Sequence, residues 1–89
     1  MKRVDEVRFS REARNFIKRA DPELRQTIHD AIEGMKVIPP QGDIKALVGY
    51  KDGRMRLRTG KYRIVFRYEE TVLTVLFIID IGSRGDIYK

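Results

Sequence analysis

The sequence predicts an α+β fold, in which an N-terminal strand and a helical hairpin pack on one face of an antiparallel twisted sheet. Apolar residues recur at helical spacing in the first 40 residues, alternate at strand spacing from residue 55, and form a nearly continuous run after residue 70. The chain has 89 residues, of which 42% are hydrophobic and 36% charged, which is enough for one modest core. We therefore expect a single domain spanning residues 1–89.

The first strand and the first helix meet where the apolar period changes, near residue 10. Val7 and Phe9 alternate with charged residues, which is the pattern of a short strand. Ser10 is then predicted to cap a helix, because its hydroxyl can accept a hydrogen bond from a backbone N–H of the first turn. The buried stripe of this helix comprises Ala13, Phe16, Ile17 and Ala20.

A second helix is predicted directly after the first. Asp21 caps it and Pro22 occupies its first position, where the missing N–H of proline costs nothing. Its buried stripe comprises Leu24, Ile28, Ala31, Ile32 and Met35. Residues 39–42, Pro-Pro-Gln-Gly, end this helix and open a loop, and no element is assigned to residues 44–50. The two helices, joined tightly, are expected to cover one face of a sheet.

Residues 54–67, RMRLRTGKYRIVFR, predict a β-hairpin with one apolar face and one basic face. A sheet with one buried face requires the apolar residues of both strands to lie on the same side. We therefore predict that Leu57 pairs with Tyr62, which leaves Thr59 and Gly60 as a two-residue turn.

The same register places Arg56 opposite Arg63 on the outer face of the sheet, with Arg54 and Arg58 beside them. Like charges directly across a strand pair destabilise a sheet by up to roughly 1 kcal/mol. A sequence that accepts this cost on one face indicates a functional role. The alternative, a row of arginines that only faces solvent, stays open at this point.

The last third of the chain is predicted to complete the sheet. Residues 69–70 form the next turn, and residues 71–81 form a central strand that returns antiparallel to its predecessor. The far end of this strand is expected to bring residues 82–84 beside Arg56 and Arg63. The last four residues form a short strand or an extended tail.

The basic residues concentrate in one region of the sequence. The net charge is +6, and residues 51–68 hold seven lysines and arginines against Asp52 alone, so the rest of the chain sums to zero. A balanced body with a single basic patch predicts a localised anionic partner. Phosphate is the expected ligand, because guanidinium binds it through two hydrogen bonds and remains charged.

The composition argues against several other classes. The chain lacks cysteine, which excludes disulfides and thiolate metal sites and favours the cytoplasm. The N-terminal segment lacks the apolar core of a signal peptide, and the longest apolar run is too short to span a bilayer, so no membrane partner is expected. His29 is the only histidine, and no carboxylates cluster at ligand spacing, so neither a metal nor another cofactor is expected. No base accompanies Ser10 to make it a nucleophile.

RNA matches the remaining chemistry, because its own 2′-hydroxyl can attack the adjacent phosphate. A protein that promotes this step must orient the 2′-oxygen, neutralise charge on the phosphorane and assist two proton transfers. Arg56, Arg63 and Arg84 are candidates for the charge term. Tyr88 is a candidate for moving a proton, because clustered cations lower the pKa of a phenol.

From about residue 7 to residue 89 the chain resembles the RelE/ParE superfamily of bacterial type II toxins, and especially its RelE-like branch. The order of elements matches, and so do two segments, IKALVGYKDGRMRLRTGKYRIVFRY and the closing IGSRGDIYK. The resemblance implies the RelE-like fold, which is also described as microbial-ribonuclease-like.

The resemblance also implies an activity and partners. RelE-like toxins cleave mRNA in the ribosomal A site without a metal, and an antitoxin encoded alongside silences them in a toxin–antitoxin hetero-oligomer. An antitoxin segment is expected to lay a helix on an apolar sheet edge or to displace the tail that carries Tyr88, with acidic residues meeting Arg56 and Arg63.

Residue roles follow by similarity. Arg63 resembles the arginine that stabilises the transition state, Arg84 the second phosphate-binding arginine, and Tyr88 the C-terminal tyrosine that stacks on a base or handles protons. Arg54 and Arg56 stand where well-known members have lysines, and arginine remains protonated. The proton acceptor is therefore Tyr88, a water or Lys61, or proton transfer is only weakly assisted. Substrate binding is assigned to Arg54, Arg58 and Lys61.

Two other functions share this fold or this charge. The ParE-like branch inhibits DNA gyrase and is not a nuclease, and a third possibility is a nucleic-acid binding module without catalysis. The combination of arginines with Tyr88 favours the ribonuclease, of which Arg56, Arg63, Arg84 and Tyr88 are the candidate catalytic residues.

Overall fold

A computed structural model describes residues 2–83 of the chain, in which two helices pack on a five-stranded sheet. The predicted α+β class is confirmed. The helices are α1 (Arg11–Arg19) and α2 (Pro22–Met35). The strands are β1 (Lys2–Arg3), β2 (Glu6–Phe9), β3 (Val37–Ile38), β4 (Asp43–Ala46), β5 (Met55–Thr59), β6 (Tyr62–Glu70) and β7 (Thr74–Ser83).

Both helices begin where the sequence predicts. The hydroxyl of Ser10 accepts a hydrogen bond from the amide of Ala13 at 3.0 Å, and the Oδ1 atom of Asp21 accepts one from the amide of Leu24 at 2.8 Å. These bonds satisfy amides that the first helical turn leaves without intrahelical partners. The end of α2 comes earlier than predicted, at Met35, because the chain leaves the helix to form β3, which pairs with β1.

The main sheet has the strand order β2-β7-β6-β5-β4. All neighbouring pairs are antiparallel except β2 and β7, which run parallel. The prediction of an antiparallel sheet therefore holds for four of the five strands, and α1 and α2 form part of the connection that a parallel neighbour requires. The short strand β4 lies at one edge, in the segment to which the sequence assigned no element.

The predicted hairpin register is wrong by two residues. Leu57 pairs with Ile64, and Thr59 with Tyr62, so the turn consists of Gly60 and Lys61. Gly60 has a φ of +59°, and Lys61, like the other non-glycine residues among 2–83, does not have a positive φ. A turn of this kind needs positive φ only at its first central residue, whereas the predicted turn starts with the β-branched Thr59. A shift by two leaves the faces unchanged, so the apolar and basic sides are as predicted.

The second predicted turn is also displaced. Strand β6 continues through Glu70, and the turn falls at residues 71–73, where the amide of Thr71 donates to the carbonyl of Leu73 at 3.0 Å. The strand β7 therefore begins at Thr74, three residues later than expected, and lies in the interior of the sheet as predicted.

The hydrophobic core lies between the helices and one face of the sheet. The largest fully buried side chains come from α2 and from β6 and β7: Ile28, Met35, Ile64, Phe66, Leu76 and Ile78. Each is worth about 1.5–3 kcal/mol relative to an exposed position. The opposite, outer face of the sheet carries the arginines and is the candidate functional surface.

Candidate functional site

Arginines from two neighbouring strands share the outer face of the sheet. In the observed register Arg58 lies directly opposite Arg63, and Arg56 lies opposite Val65. Paired residues point to the same side of a sheet, so all three arginines face away from the helices. The predicted pair Arg56–Arg63 is wrong in register, since the two are diagonal neighbours, but their common face is confirmed.

Two of these arginines are nearly inaccessible to solvent. Arg56 is 5% exposed and Arg63 is 3% exposed. Charged side chains are rarely buried to this extent unless they are paired. A row of arginines that only faces solvent therefore does not describe Arg56 or Arg63.

Arg56 is held by the neighbouring edge strand. Its Nη1 atom donates to the main-chain oxygen of Asp43 at 3.0 Å and lies 3.4 Å from the Oδ1 atom of that residue. A hydrogen bond from a charged donor is stronger than a neutral one. Arg56 thus ties β5 to β4, in addition to any role towards a ligand.

A cavity of about 470 Å³ opens on the outer face beside Arg63. Arg54 and Arg63, two of the predicted site residues, both line it, whereas Arg56 does not. The lining residues are Glu12, Leu47, Tyr50, Arg54, Arg63, Val65, Ile79 and Asp80. The cavity thus combines guanidinium groups, which can bind a phosphate, with an aromatic ring and two carboxylates.

The carboxylates of this cavity were missed by sequence reasoning. Glu12 lies in the first turn of α1, and Asp80 lies in β7 opposite Val65. Asp80 could have been noticed in the sequence, because it is the only charged residue in the apolar run 71–81. Glu12 could not have been singled out, since an acidic residue in a first helical turn is explained by the helix dipole alone.

Asp52 links two arginines of adjacent strands. Its Oδ2 atom lies 2.8 Å from Nη2 of Arg54 and 3.9 Å from Nε of Arg67. The hydrogen bond from Arg54 holds the pKa of the Asp52 carboxyl below its ordinary value and raises the pKa of the Arg54 guanidinium. Both groups therefore remain ionised throughout the physiological range.

A second cavity, of about 510 Å³, adjoins the first across the same face. The two cavities share Arg54 and Ile79. The lining residues of the second are Arg8, Phe9, Ser10, Asp52, Arg54, Arg67, Phe77, Ile78 and Ile79. Arg67 is thus part of the same surface as Arg54.

The return of β7 to this face is as predicted. Gly82 pairs with Arg63, and Ser83 pairs with Tyr62. Arg84 and Tyr88, predicted to be catalytic, and the last four residues lie outside the described part of the chain. Lys61 is exposed at the tip of the β5–β6 turn.

The basic and acidic side chains are distributed over the structure differently from their distribution along the sequence. Asp43 is brought opposite Arg58, and Asp80 opposite Val65, so the outer face holds more acidic groups than residues 51–68 alone provide. Helix α1 meanwhile exposes four cations: Arg11, Arg14, Lys18 and Arg19. Among residues 2–83, α1 therefore carries a second group of exposed cations that the linear count did not identify.

His29 does not line either cavity of the outer face. His29 is exposed, with Nδ1 3.5 Å from the Oδ1 atom of Asp30. Within residues 2–83, no three histidine, cysteine or acidic side chains converge closely enough to hold a metal ion. In the same part of the chain, neither helix has the length and apolar character needed to cross a membrane.

Solved structures with the same fold are toxin–antitoxin complexes. The chain matches one chain of the RelB–RelE antitoxin–toxin complex from Methanococcus jannaschii with 24% identity and a TM-score of 0.69, over 90% of this chain and 93% of that one. It matches a chain of the RelBE2 toxin–antitoxin complex from Mycobacterium tuberculosis with 22% identity and a TM-score of 0.70, over 93% and 100% of the two chains.

A third match is the archaeal RelE–RelB complex from Pyrococcus horikoshii OT3, with 17% identity and a TM-score of 0.67, over 90% of this chain and 94% of that one. At these identities the likeness shows that the fold is that of RelE toxins.

The sequence comparison assigns the family. No curated protein sequence matches the chain at a significant level. A family model described as the ParE toxin of the type II toxin–antitoxin system, parDE, matches residues 7–88. The expected resemblance to the RelE/ParE superfamily is confirmed, and the chain belongs to the ParE toxin family of type II toxin–antitoxin systems, within that superfamily.

Proposed function

We propose that this toxin is a ribosome-dependent endoribonuclease that cleaves mRNA in the A site by attack of a 2′-hydroxyl on the adjacent phosphate. The observation that supports it is the cavity in which the buried Arg63 meets Arg54 and two carboxylates. A cation is needed where charge builds up on the phosphorane, and an acceptor is needed for the 2′-hydroxyl proton.

Arg63 is the residue we assign to transition-state stabilisation. Its side chain is almost fully withdrawn from water, which strengthens its interaction with a developing negative charge. As the 2′-oxygen bonds to phosphorus, the bond to the 5′-oxygen breaks, leaving a cyclic phosphate and a 5′-hydroxyl that takes up a proton. We assign Arg84 and Tyr88 to the same phosphate and base, and Arg58 and Lys61 to the flanking backbone, by their resemblance to RelE-like toxins.

The cavity supplies candidate proton acceptors that the sequence did not predict. An arginine side chain does not accept a proton, and Lys61 lies at an exposed turn. Glu12 and Asp80 line the cavity, and a carboxylate is an ordinary general base. We therefore add these two residues to Tyr88 and water as candidate acceptors.

Cell-free translation with primer extension on the message tests the proposal. The wild-type toxin is expected to produce discrete cuts within codons, and Arg63→Ala to reduce their rate by about 10²–10³. Lys36→Ala, which removes the same charge from the C-terminal end of α2, serves as the matched control and is expected to cut normally. If wild-type toxin leaves ribosome-bound message intact, the proposal is wrong.

Gyrase inhibition is the second candidate, and one observation favours it specifically. The matching family model carries the ParE description. A supercoiling assay with purified gyrase distinguishes the two, since only the gyrase hypothesis expects inhibition at stoichiometric toxin. Binding of RNA with neither effect would indicate the non-catalytic module.

The partners follow from the proposed toxicity. The matched structures are complexes with antitoxins, and we propose a cognate antitoxin for this chain in a hetero-oligomer. Exposed apolar side chains beside the sheet, Val48, Val72 and Leu73, are candidate contacts for an antitoxin helix. Acidic residues of the antitoxin would face the arginines of the outer face. Action on ribosomes places the protein in the cytoplasm.

A further inference from the structure

Arg54 and Arg67 are brought side by side by the hairpin. Met55 pairs with Phe66, so the residue before Met55 lies beside the residue after Phe66. Two guanidinium groups on neighbouring strands would repel each other in isolation. The carboxylate of Asp52 lies against both, 2.8 Å from Arg54 and 3.9 Å from Arg67, and offsets that repulsion.

Aromatic rings hold both guanidinium groups in fixed orientations. The Arg54 guanidinium lies over the ring of Tyr50 at 4.1 Å, and that of Arg67 over the ring of Phe77 at 4.4 Å. Each side chain is about three-quarters buried, with 25% exposure. Such stacking restricts the rotamers that a free arginine would sample, so a ligand that binds here meets a preorganised pair.

The pair lies on the path from the Arg63 cavity across the outer face. Arg54 lines both cavities, and Arg67 lines the second. A strand of RNA with its scissile phosphate at Arg63 therefore has a neighbouring cavity for an adjacent nucleotide. Backbone phosphates are the groups that guanidinium pairs on such a path would contact.

Asp52 lies on a short exposed loop beside the pair, between Lys51 and Gly53. A carboxylate and a phosphate both accept paired hydrogen bonds from guanidinium, so one can take the place of the other.

We propose that Arg54 and Arg67 form a second phosphate-binding site, for an RNA phosphodiester flanking the scissile one, and that the Asp52 carboxylate occupies it in the free toxin. The inference rests on the proposed RNA substrate. Asp52 then competes with RNA, and its charge lowers the affinity of the toxin for unstructured RNA.

Binding of a short 2′-O-methyl RNA, which lacks the attacking hydroxyl, tests the site by fluorescence anisotropy. Asp52→Asn keeps an oxygen that can accept from the Arg54 amide but loses the competing charge, and we expect about tenfold tighter binding. Glu70→Gln is the matched control, because Glu70 pairs with Lys2 and not with either arginine, and its replacement changes the net charge equally. We expect this control to change affinity less than about twofold.

If the site exists, the tighter RNA binding of Asp52→Asn must depend on Arg67. Adding Arg67→Gln to Asp52→Asn is expected to abolish the tighter binding. Alone, Arg67→Gln should reduce the slope of log affinity against log salt by about 0.7, the value for one phosphate contact on a single strand.

Three results would overturn the site: equal gains in affinity from Asp52→Asn and Glu70→Gln, a gain that survives Arg67→Gln, or absence of RNA binding by all variants. The cleavage assay separates this failure from failure of the proposed function. Arg63-dependent cuts that persist while the anisotropy results contradict the pair would reject only the second phosphate site.

Discussion

The hydroxyl of Ser10 donates a hydrogen bond to the main-chain oxygen of Ile79 at 2.6 Å. Ile79 is the extra residue of a β-bulge in β7, since Val65 pairs with Asp80 and Phe66 with Ile78. Ile79 also lines both cavities of the outer face. The residue that starts α1 therefore fixes the strand irregularity on which the candidate site is built, and bulges commonly re-aim side chains beside functional sites.

Ser10→Ala is expected to destabilise the protein by about 2–3 kcal/mol, because it removes both the cap of α1 and the bond to Ile79. Asp21→Ala is the matched control, since Asp21 caps α2 through an exposed bond to Leu24, and its loss should cost about 1 kcal/mol. Urea unfolding measures both. Equal losses would mean that the bond to Ile79 contributes nothing to stability.

Gly42→Ala is expected to be more damaging than alanine at other glycines with positive φ. Gly42 has a φ of +119°, and an added Cβ would lie 2.5 Å from the Cδ1 atom of Leu57 in the core. We expect a loss of about 2–4 kcal/mol, from backbone strain and from displacement of a packed side chain.

Gly60→Ala provides the control for Gly42→Ala. Gly60 has a φ of +59°, but an added Cβ there would meet no atom within 4 Å, so only the backbone term of about 1 kcal/mol applies. Thermal unfolding of both variants measures the difference in stability, which is the cost of displacing Leu57. A Gly42→Ala variant as stable as Gly60→Ala would show that Leu57 moves aside without cost.

Local signals in the sequence predicted the helices well. The caps at Ser10 and Asp21 and the proline at residue 22 act through bonds within a few residues, so the residue types alone specify them. The apolar stripes were equally informative, because a helix of this period buries one side whatever it packs on.

The parts that sequence reasoning missed depend on residues distant in the chain. The hairpin register depends on whether Gly60 is the first or the second residue of the turn. Both registers keep the same apolar face, so the apolar pattern cannot choose between them. Asp43 and Asp80 reach the arginines only through strand pairing, so a count along residues 51–68 overstated the basic charge of the outer face. Burial of Arg56 and Arg63 likewise follows from the neighbouring strands and not from their own alternation.

Tyr68→Phe is expected to remove part of the alkaline sensitivity of the fold. The Tyr68 hydroxyl donates to the main-chain oxygen of Met35 at 2.6 Å, and burial raises its pKa to about 12. The unfolded phenol ionises near pH 10, so the unfolded state loses its proton first. The contribution of the neutral phenol is full below pH 10 and is lost as the pH rises from about 10 to 12.

Urea unfolding between pH 8 and pH 12 measures this contribution. The wild-type protein should lose stability more steeply with pH than Tyr68→Phe, which should also cost about 1 kcal/mol at neutral pH for the lost hydrogen bond to Met35. Tyr50→Phe, which removes a hydroxyl from an exposed ring, should leave the neutral-pH stability unchanged. An identical alkaline decline in wild type and Tyr68→Phe would contradict the assignment.

Arg56 is expected to act on the site through the edge strand as well as through its charge. Arg56→Gln should cost about 1–3 kcal/mol and speed amide exchange in β4, because the bond from Nη1 to the main-chain oxygen of Asp43 is lost. Asp43→Asn keeps that oxygen and should change stability by less than about 0.5 kcal/mol. Cleavage by Arg56→Lys completes the test, since lysine restores the charge without the planar geometry. Normal cleavage by Arg56→Lys despite faster exchange in β4 would assign the activity to charge. Loss of cleavage together with faster exchange in β4 would assign it to the position of the strand.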